Sequence, residues 1–218
     1  MKTTVTHHIS EPILMAYATG SLSEAFSLVV ASHLSLCDTC RAAVAAYEAV
    51  GGALIEGDDR AQMDEDALDA LWAKVNARED VAVEVERAAP KHGVLPGPLQ
   101  AYVGGDLDAV KWRSVGGGLK QAVIKAGRRD SVRLLSIPAG TAVPDHTHKG
   151  TELTLVLQGA FSDDGETFRR GDVEVADDAV DHQPVACAGE DCICLAATEH
   201  ALRFHGLIPR IAQRFMGI

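Results

Sequence analysis

The sequence is poor in several features that would point to particular classes of protein. Aromatic residues make up only 5% of its 218 residues, so a core must be built mainly from Leu, Val, Ile and Ala. Positive charge is scarce, because 20 Lys and Arg stand against 31 Asp and Glu, a net charge of -11. Phosphate groups repel such a chain, which argues against non-specific binding of nucleic acid and favours a basic protein partner.

Signals for membranes and secretion are also missing. The chain has no apolar run of about 18 residues, so we expect no membrane span. Residues 1–8 lack a basic segment followed by an apolar one, so we expect no signal peptide and a cytoplasmic location. In a reducing compartment, the five cysteines suit metal binding, redox sensing or packing better than a disulfide framework.

The character of the sequence changes near residue 90. Residues 1–85 hold 5 basic and 14 acidic residues, a net charge of -9, whereas residues 86–218 carry -2. The first part has helical periodicity, and residues 86–98 are rich in Pro and Gly, which predicts a linker. Short alternating runs then predict an antiparallel β-barrel or sandwich over 99–218. Its expected strands include 131–138, 152–158, 172–176, 192–198 and 202–207.

Four helices are expected in the first part, which makes it a small helical bundle. Ser21 is predicted to cap the second helix in a capping box with Glu24. Gly51 and Gly52 are predicted to weaken or end the third helix. The fourth helix, roughly residues 65–78, carries apolar residues at helical spacing: Leu68, Leu71, Trp72 and Val75.

A first candidate metal site has the spacing H-x3-C-x2-C. His33 falls in the last turn of the second helix, and Cys37 and Cys40 lie at the corner that leads into the third. Three such side chains can point at one centre, and His7 and His8 are the nearby candidates for a fourth ligand. Two Cys and two His in a tetrahedral arrangement favour zinc. The alternatives are packing cysteines with a chance histidine, or a redox-active pair.

This spacing resembles the zinc-binding anti-sigma domain, whose members bind a sigma factor of the extracytoplasmic-function type and keep it from RNA polymerase. A longer stretch resembles the ChrR-type branch of these anti-sigma factors. The segments that carry this resemblance are HHIS (7–10), AYA (16–18), GSLSEAFSLVVA (20–31) and HLSLC (33–37). The resemblance implies that His8 is the fourth ligand and that His7 is a solvated neighbour.

A second candidate metal site lies in the β part. His146 and His148 are two residues apart, so both side chains leave a strand on the same face. A turn then allows Glu152 to join them from the next strand. The full pattern is Gly140-x5-His146-x-His148-x3-Glu152-x6-Gly159.

This pattern matches the first motif of the cupin family without a substitution. The second cupin motif places a histidine eleven residues after a glycine, as Gly171 and His182 are placed here. Asp177 and Ala179 replace the Pro and Gly of that motif, which weighs against enzymatic activity. The resemblance implies a double-stranded β-helix with one metal on four ligands: His146, His148, Glu152 and His182. These residue types suit Zn, Mn, Fe or Ni, and the resemblance favours zinc.

The ChrR-type resemblance covers nearly the whole chain. It implies an anti-sigma factor whose helical domain binds one sigma factor, 1:1, and whose cupin domain responds to photo-oxidative stress such as singlet oxygen. Catalysis and direct contact with nucleic acid or membranes are not expected. The alternative is a cupin dioxygenase or isomerase with a helical appendage, because cupin metals often keep an open coordination position. A metal-sensing, DNA-binding repressor would conflict with the acidic charge.

Three cysteines remain outside these motifs. Cys192 and Cys194 alternate on an expected strand and therefore share a face. We expect them to be buried small residues rather than a sensor pair, and Cys187 to be the same.

Overall fold

The computed structural model describes residues 4–57, 62–77, 93–126, 130–144, 146–147, 150–177, 181–199 and 203–204. For 130–131, 146–147, 181–182 and 203–204 it describes the backbone alone. The helices are α1 (Glu11–Ala18), α2 (Glu24–Leu34), α3 (Asp38–Glu56), α4 (Ala67–Asn76) and α5 (Gly97–Val103), with a 3-10 turn at Leu107–Ala109. The strands are β1 (Arg113–Gly116), β2 (Leu119–Ala126), β3 (Asp130–Ile137), β4 (His146–Thr147), β5 (Glu152–Gln158), β6 (Ala160–Asp163), β7 (Glu166–Arg169), β8 (Val173–Ala176), β9 (Asp181–His182), β10 (Val185–Ala186), β11 (Cys192–Thr198) and β12 (Arg203–Phe204).

This order of elements confirms the predicted fold class, with helices first and an antiparallel β domain after them. Four of the expected strands appear as β3, β5, β8 and β11, within two residues of the predicted ends. The last expected strand, 202–207, overlaps β12, and the rest of it lies outside the described residues.

The cap of α2 differs from the prediction. Ser23 precedes the helix, and its hydroxyl oxygen accepts a hydrogen bond from the backbone N–H of Phe26 at 3.4 Å. Ser21 instead donates its hydroxyl to the carbonyl of Ala16 at 3.0 Å. The prediction of Ser21 as the cap is therefore wrong, because that side chain satisfies a carbonyl at the end of α1.

Helix α3 is longer than predicted. It continues through Gly51 and Gly52 and ends at Glu56. At both glycines, no atom outside the helix's own backbone and the neighbouring residues lies within 4 Å of the position a Cβ would take. Packing therefore does not require the helix to end there. A glycine costs a helix about 1 kcal/mol relative to alanine, which weakens the helix without ending it.

The expected linker ends in a helix. Gly97 and Pro98 are the first residues of α5, where a proline is tolerated because the first N–H groups of a helix have no partner within it. Leu95 and Leu99 are fully buried beside them. Residues 86–92 of the expected linker lie outside the described part of the chain, and the division at residue 85 stays a prediction.

A six-stranded antiparallel sheet, in the order β1-β2-β3-β11-β5-β8, forms the centre of the molecule. Both faces of its middle strands are buried, which explains the nearly continuous apolar runs of β5 and β11. Alternate residues of each strand face opposite sides. One side, called here the outer face, carries Leu153, Leu155 and Leu195, and the other, the inner face, carries Val156 and Cys194.

Helix α2 covers the outer face. It lies against β2, β3, β5 and β11, and its residues share one core cluster with Leu134, Leu155 and Leu195. The described residues also form two smaller, three-stranded sheets, β10-β6-β7 and β12-β4-β9. Phe161 and Phe168 of β6 and β7 stack at 5.0 Å between ring centroids, and they share the inner-face cluster with Val156. The hydrophobic core is thus continuous from the helices into the β domain.

The described helices carry no segment with the length and apolar character needed to cross a membrane.

Candidate metal sites

The helical part of the chain brings four predicted ligands together. The ligand atoms of His8, His33, Cys37 and Cys40 all lie within 4.8 Å of one another. His33 comes from the last turn of α2, Cys37 caps α3, and Cys40 lies in its first turn. His8 comes from the segment before α1. These elements meet because the corner between α2 and α3 is tight: the N–H of Cys37 donates to the carbonyl of His33 at 2.9 Å.

The spacing within the cluster suits a tetrahedral ion. His8 Nδ1 lies 3.3 Å from the Cys37 sulfur and 3.6 Å from the Cys40 sulfur. In a tetrahedral zinc site with ordinary bond lengths, a sulfur and a nitrogen ligand are about 3.6 Å apart. Two thiolates and two imidazoles are the donor set of structural zinc sites. The N-terminal part of the chain therefore has a candidate His/Cys metal site.

The orientation of His33 is fixed by a partner outside the cluster. Its Nδ1 lies 2.8 Å from the carbonyl oxygen of Gly171. A carbonyl can only accept, so Nδ1 carries the proton. Burial lowers the pKa of His33 to about 4, which keeps the ring neutral at pH 7. Nε2 then holds a free electron pair, and this buried atom has no hydrogen-bond partner among the described residues. Such an orphaned acceptor fits a metal ligand.

The two cysteines of the cluster also fit a metal site. Cys37 and Cys40 are both buried, at 2% exposure. Burial raises the pKa of the Cys40 thiol to about 11, so a thiolate at this position needs a nearby cation. The backbone N–H of Cys40 also lies 3.4 Å from the Cys37 sulfur, as expected at the positive end of a helix.

Asp172, in the β domain, is a residue near the cluster that the sequence patterns did not indicate. The buried carboxylate of Asp172 accepts backbone N–H groups from Thr6 at 2.7 Å, His7 at 3.0 Å and Arg169 at 2.8 Å. Burial alone would raise the pKa of Asp172, but these donors outweigh burial and lower it. Nothing in the sequence around Asp172 signals this role, since Thr6 and His7 lie more than 160 residues away.

His7 is not the solvated neighbour that was expected. Its ring packs on Phe168 with 4.4 Å between centroids, and its Nδ1 lies 3.4 Å from Asp172. Its side chain is 28% exposed. The prediction was wrong because β7 covers this side of the segment before α1, which the sequence of that segment cannot reveal.

The structure describes some of the second set of predicted metal ligands. His146 on β4 and His182 on β9 are direct partners across two paired antiparallel strands. Glu152 begins β5 and is buried on the inner face, where its Oε1 accepts the Thr154 hydroxyl at 2.8 Å. His148 lies outside the described residues. Gly159, which ends the same motif, has φ +65°, and a Cβ there would stand 2.7 Å from the Asp191 carbonyl, so only glycine fits.

Several titratable side chains lie close together on the inner face. Burial, with Asp163 and Glu152 nearby, raises the pKa of Glu174 to about 9. Burial also lowers the pKa of Arg133, an effect that Glu152 opposes. Glu152 is buried and Glu174 and Asp163 are half-buried, and a nearby cation would stabilise the charged form of such carboxylates.

Cys192 and Cys194 are buried on the inner face, with their sulfurs 3.4 Å apart. The contact with Cys192, together with burial, holds the pKa of Cys194 well above its usual value. A protonated, buried thiol is a weak nucleophile, in keeping with the expectation of packing residues. Cys187 is partly exposed, and its N–H donates to the carbonyl of Ala160 at 2.9 Å.

These features define a class of protein: a helical unit with a candidate His/Cys metal site, packed on a cupin-like barrel. Comparison with known proteins agrees. Residues 100–202 match the family model described as the ChrR cupin-like domain. The anti-sigma-E factor ChrR of Cereibacter sphaeroides is 50% identical over 215 residues, which cover 99% of this chain and 100% of that protein. The crystal structure of Rhodobacter sphaeroides SigE in complex with the anti-sigma ChrR matches with a TM-score of 0.78 and 50% identity, over 90% of this chain and 100% of that one.

The chain therefore belongs to the ChrR family of anti-sigma factors. Identity at this level over the full length places it among regulators rather than enzymes, so the alternative of a cupin dioxygenase or isomerase loses its support.

Proposed function

We propose that this chain binds and inhibits a sigma factor of the extracytoplasmic-function type and releases it when the cupin domain receives a photo-oxidative signal such as singlet oxygen. The SigE complex of the ChrR relative supports the partner class. One observation on this chain carries the proposal: an apolar helix face that is about half exposed in the described part of the chain.

That face belongs to α4, none of whose residues is buried. Leu68, Leu71, Trp72 and Val75 repeat at helical spacing and are between 49% and 60% exposed. The end of α3 continues the pattern with exposed Leu54 and Ile55. An amphipathic helix with its apolar side in solvent is a typical element for docking into a groove of a protein partner.

Charge supports the same partner. Residues 1–85 carry 14 acidic and 5 basic residues. A sigma factor presents basic surfaces to promoter DNA, so an acidic inhibitor gains in association rate and selectivity. The same charge opposes direct binding of this chain to nucleic acid.

Zinc is the ion we assign to both candidate sites. In the helical domain, His8, His33, Cys37 and Cys40 would hold it, and it would fix the corner between α2 and α3 without taking part in any reaction. In the cupin domain, the assigned ligands are His146, His148, Glu152 and His182. There the metal is part of the signal-receiving site, in a protein that acts in the cytoplasm.

The first test is co-purification with a co-expressed sigma factor of the extracytoplasmic-function type. The wild-type chain should hold the sigma factor at 1:1, with about two zinc ions per chain. The Cys40→Ala variant should lose one zinc and the sigma factor, because the α2–α3 corner loses its ion. Cys192→Ala, a buried cysteine outside the candidate ligands, is the control and should keep both. Full sigma binding by Cys40→Ala would contradict the structural role of the metal.

The second test separates inhibition from response. His182→Ala should inhibit the sigma factor as the wild type does, yet fail to release it under light with a singlet-oxygen photosensitiser. A sigma-dependent reporter measures both properties in the same cells. Normal release by His182→Ala would remove the cupin metal from the proposal, and loss of inhibition would show that the two domains do not divide the work in this way.

A further inference from the structure

Both histidine ligands of the helical cluster are tied to the barrel: His33 through its ring, and His8 through the backbone just before it. His33 donates from Nδ1 to the carbonyl of Gly171, a buried bond between residues 138 positions apart. A histidine that binds a metal through one ring nitrogen is commonly oriented by a hydrogen bond from the other. Here that bond crosses from the helical unit to the turn before β8.

The next residue of the same turn holds the segment that leads to the other histidine, His8. Asp172 Oδ1 accepts the N–H groups of Thr6 and His7, and the N–H of Val173 donates to the carbonyl of His7 at 3.2 Å. These bonds fix the backbone immediately before His8. Charge-assisted bonds of this kind are about twice as strong as those between neutral groups.

The turn is itself tied to the barrel. Gly171 N donates to the carbonyl of Val156 at 2.9 Å, and Val156 N donates to the carbonyl of Asp172 at 3.0 Å. Gly171 has φ +95°, and a Cβ would stand 2.7 Å from a methyl of Val5, so the close approach of the two segments requires glycine.

The same pair of strands reaches the second metal set. From the turn, β8 runs antiparallel to β5, and its last residue, Ala176, is the partner of Glu152. The helical cluster and a predicted cupin ligand therefore lie at opposite ends of one two-stranded ladder.

We propose that the Gly171–Asp172 turn is part of the helical metal centre and that Asp172 is a positioning residue for its histidine ligands. The helical corner supplies both cysteines and His33, and hydrogen bonds from the barrel hold the His33 ring and the backbone before His8 in place. A displacement of β8 would then weaken metal binding without moving either cysteine. This inference rests on the proposed metal site, and its test is designed to fail separately from that site.

The test is cobalt titration of the full chain, freed of zinc, in wild-type and Asp172→Asn forms. Thiolate-to-cobalt charge-transfer absorption reports only a site with cysteine ligands. Asp172→Asn keeps the shape of the side chain but turns an NH2 group towards backbone donors. We expect cobalt to bind the variant about 10–100-fold more weakly, with shifted ligand-field bands.

Asp106→Asn is the matched control. Asp106 also accepts two backbone N–H groups, from Val94 at 3.0 Å and Leu95 at 2.8 Å, and it lies outside the cluster. Its cobalt affinity should stay within about twofold of the wild type. If Asp172→Asn binds cobalt like the wild type, the inference is overturned. If the wild type itself shows no charge-transfer band, the proposed metal site fails instead.

Hydrogen exchange provides a second measurement that does not depend on folding of the Asp172 variant. In the His182→Ala chain, removal of zinc should speed exchange at the amides of Thr6, His7 and Arg169, because binding and positioning are reciprocal. The amides of Val94 and Leu95 should not change. Equal protection of the first three amides with and without zinc would overturn the inference.

Discussion

Helices α2 and α4 are both rich in apolar residues, and the fold treats the two helices in opposite ways. The large apolar residues lie around most of α2 but form one stripe on α4. Eight residues of α2 are buried, in a helix of 11, whereas α4 buries none of its 10. The difference lies in what surrounds each helix. α2 lies on the outer face of the central sheet, where its side chains meet those of β3, β5 and β11. The apolar face of α4 faces solvent.

This contrast separates two uses of apolar helix surface. Apolar surface that meets the sheet stabilises the fold by about 25 cal/mol per Å² removed from water. The apolar side chains of α4 are 49–60% exposed, so they contribute less to the fold and leave apolar surface that a partner could cover. Substitutions on the two helices should therefore affect different measurements.

The largest expected effect is on α2. Val30 is 0% exposed, and Val30→Asp would bury an unpaired charge between the helix and the sheet. We expect a loss of at least about 4 kcal/mol in the free energy of unfolding, measured by chemical denaturation. The same change on α4, Val75→Asp, should leave stability within about 0.5 kcal/mol of the wild type. Equal losses at the two positions would show that α4 is packed into the fold.

A smaller effect is expected on α4, and only in binding. Leu71→Asp should weaken binding of the sigma factor roughly 100-fold, because a charge replaces an apolar contact in the proposed interface. Thermal unfolding of the free chain should not change. Val123, half exposed on β2, is the matched control, and Val123→Asp should bind normally. Normal binding by Leu71→Asp would direct the search for the interface to another surface.

The smallest effect is expected in the second half of α3, the helix that lies between α2 and α4 in the sequence. Gly51→Ala should stabilise the chain by about 0.5–1 kcal/mol, since the glycine is helical and a Cβ meets no atom within 4 Å. Gly20→Ala should do the opposite, because Gly20 has equal space but φ +68°. Thermal unfolding measures both. A loss of stability in Gly51→Ala would mean that α3 is broken at this point in solution.

Local patterns in the sequence predicted much of the molecule. The H-x3-C-x2-C spacing is confined to one helical corner, so three members of the His8, His33, Cys37 and Cys40 cluster could be found without knowledge of the fold. The fourth ligand came from the resemblance rather than from spacing. Two of the errors were local: Ser21 and Ser23 both suit a cap, and a pair of glycines does not end a helix that the rest of its residues favour.

By itself, the sequence determined the residue types and the periodicities: the metal-type ligands, the helical first part, and the strands with alternating faces. Only the tertiary structure decided which apolar face became core and which stayed in solvent. It also placed Gly171 and Asp172 against the two histidines of the helical cluster. The physical reason is distance along the chain. Spacing fixes what lies on one face of one element, whereas a contact across more than 130 residues depends on how elements pack.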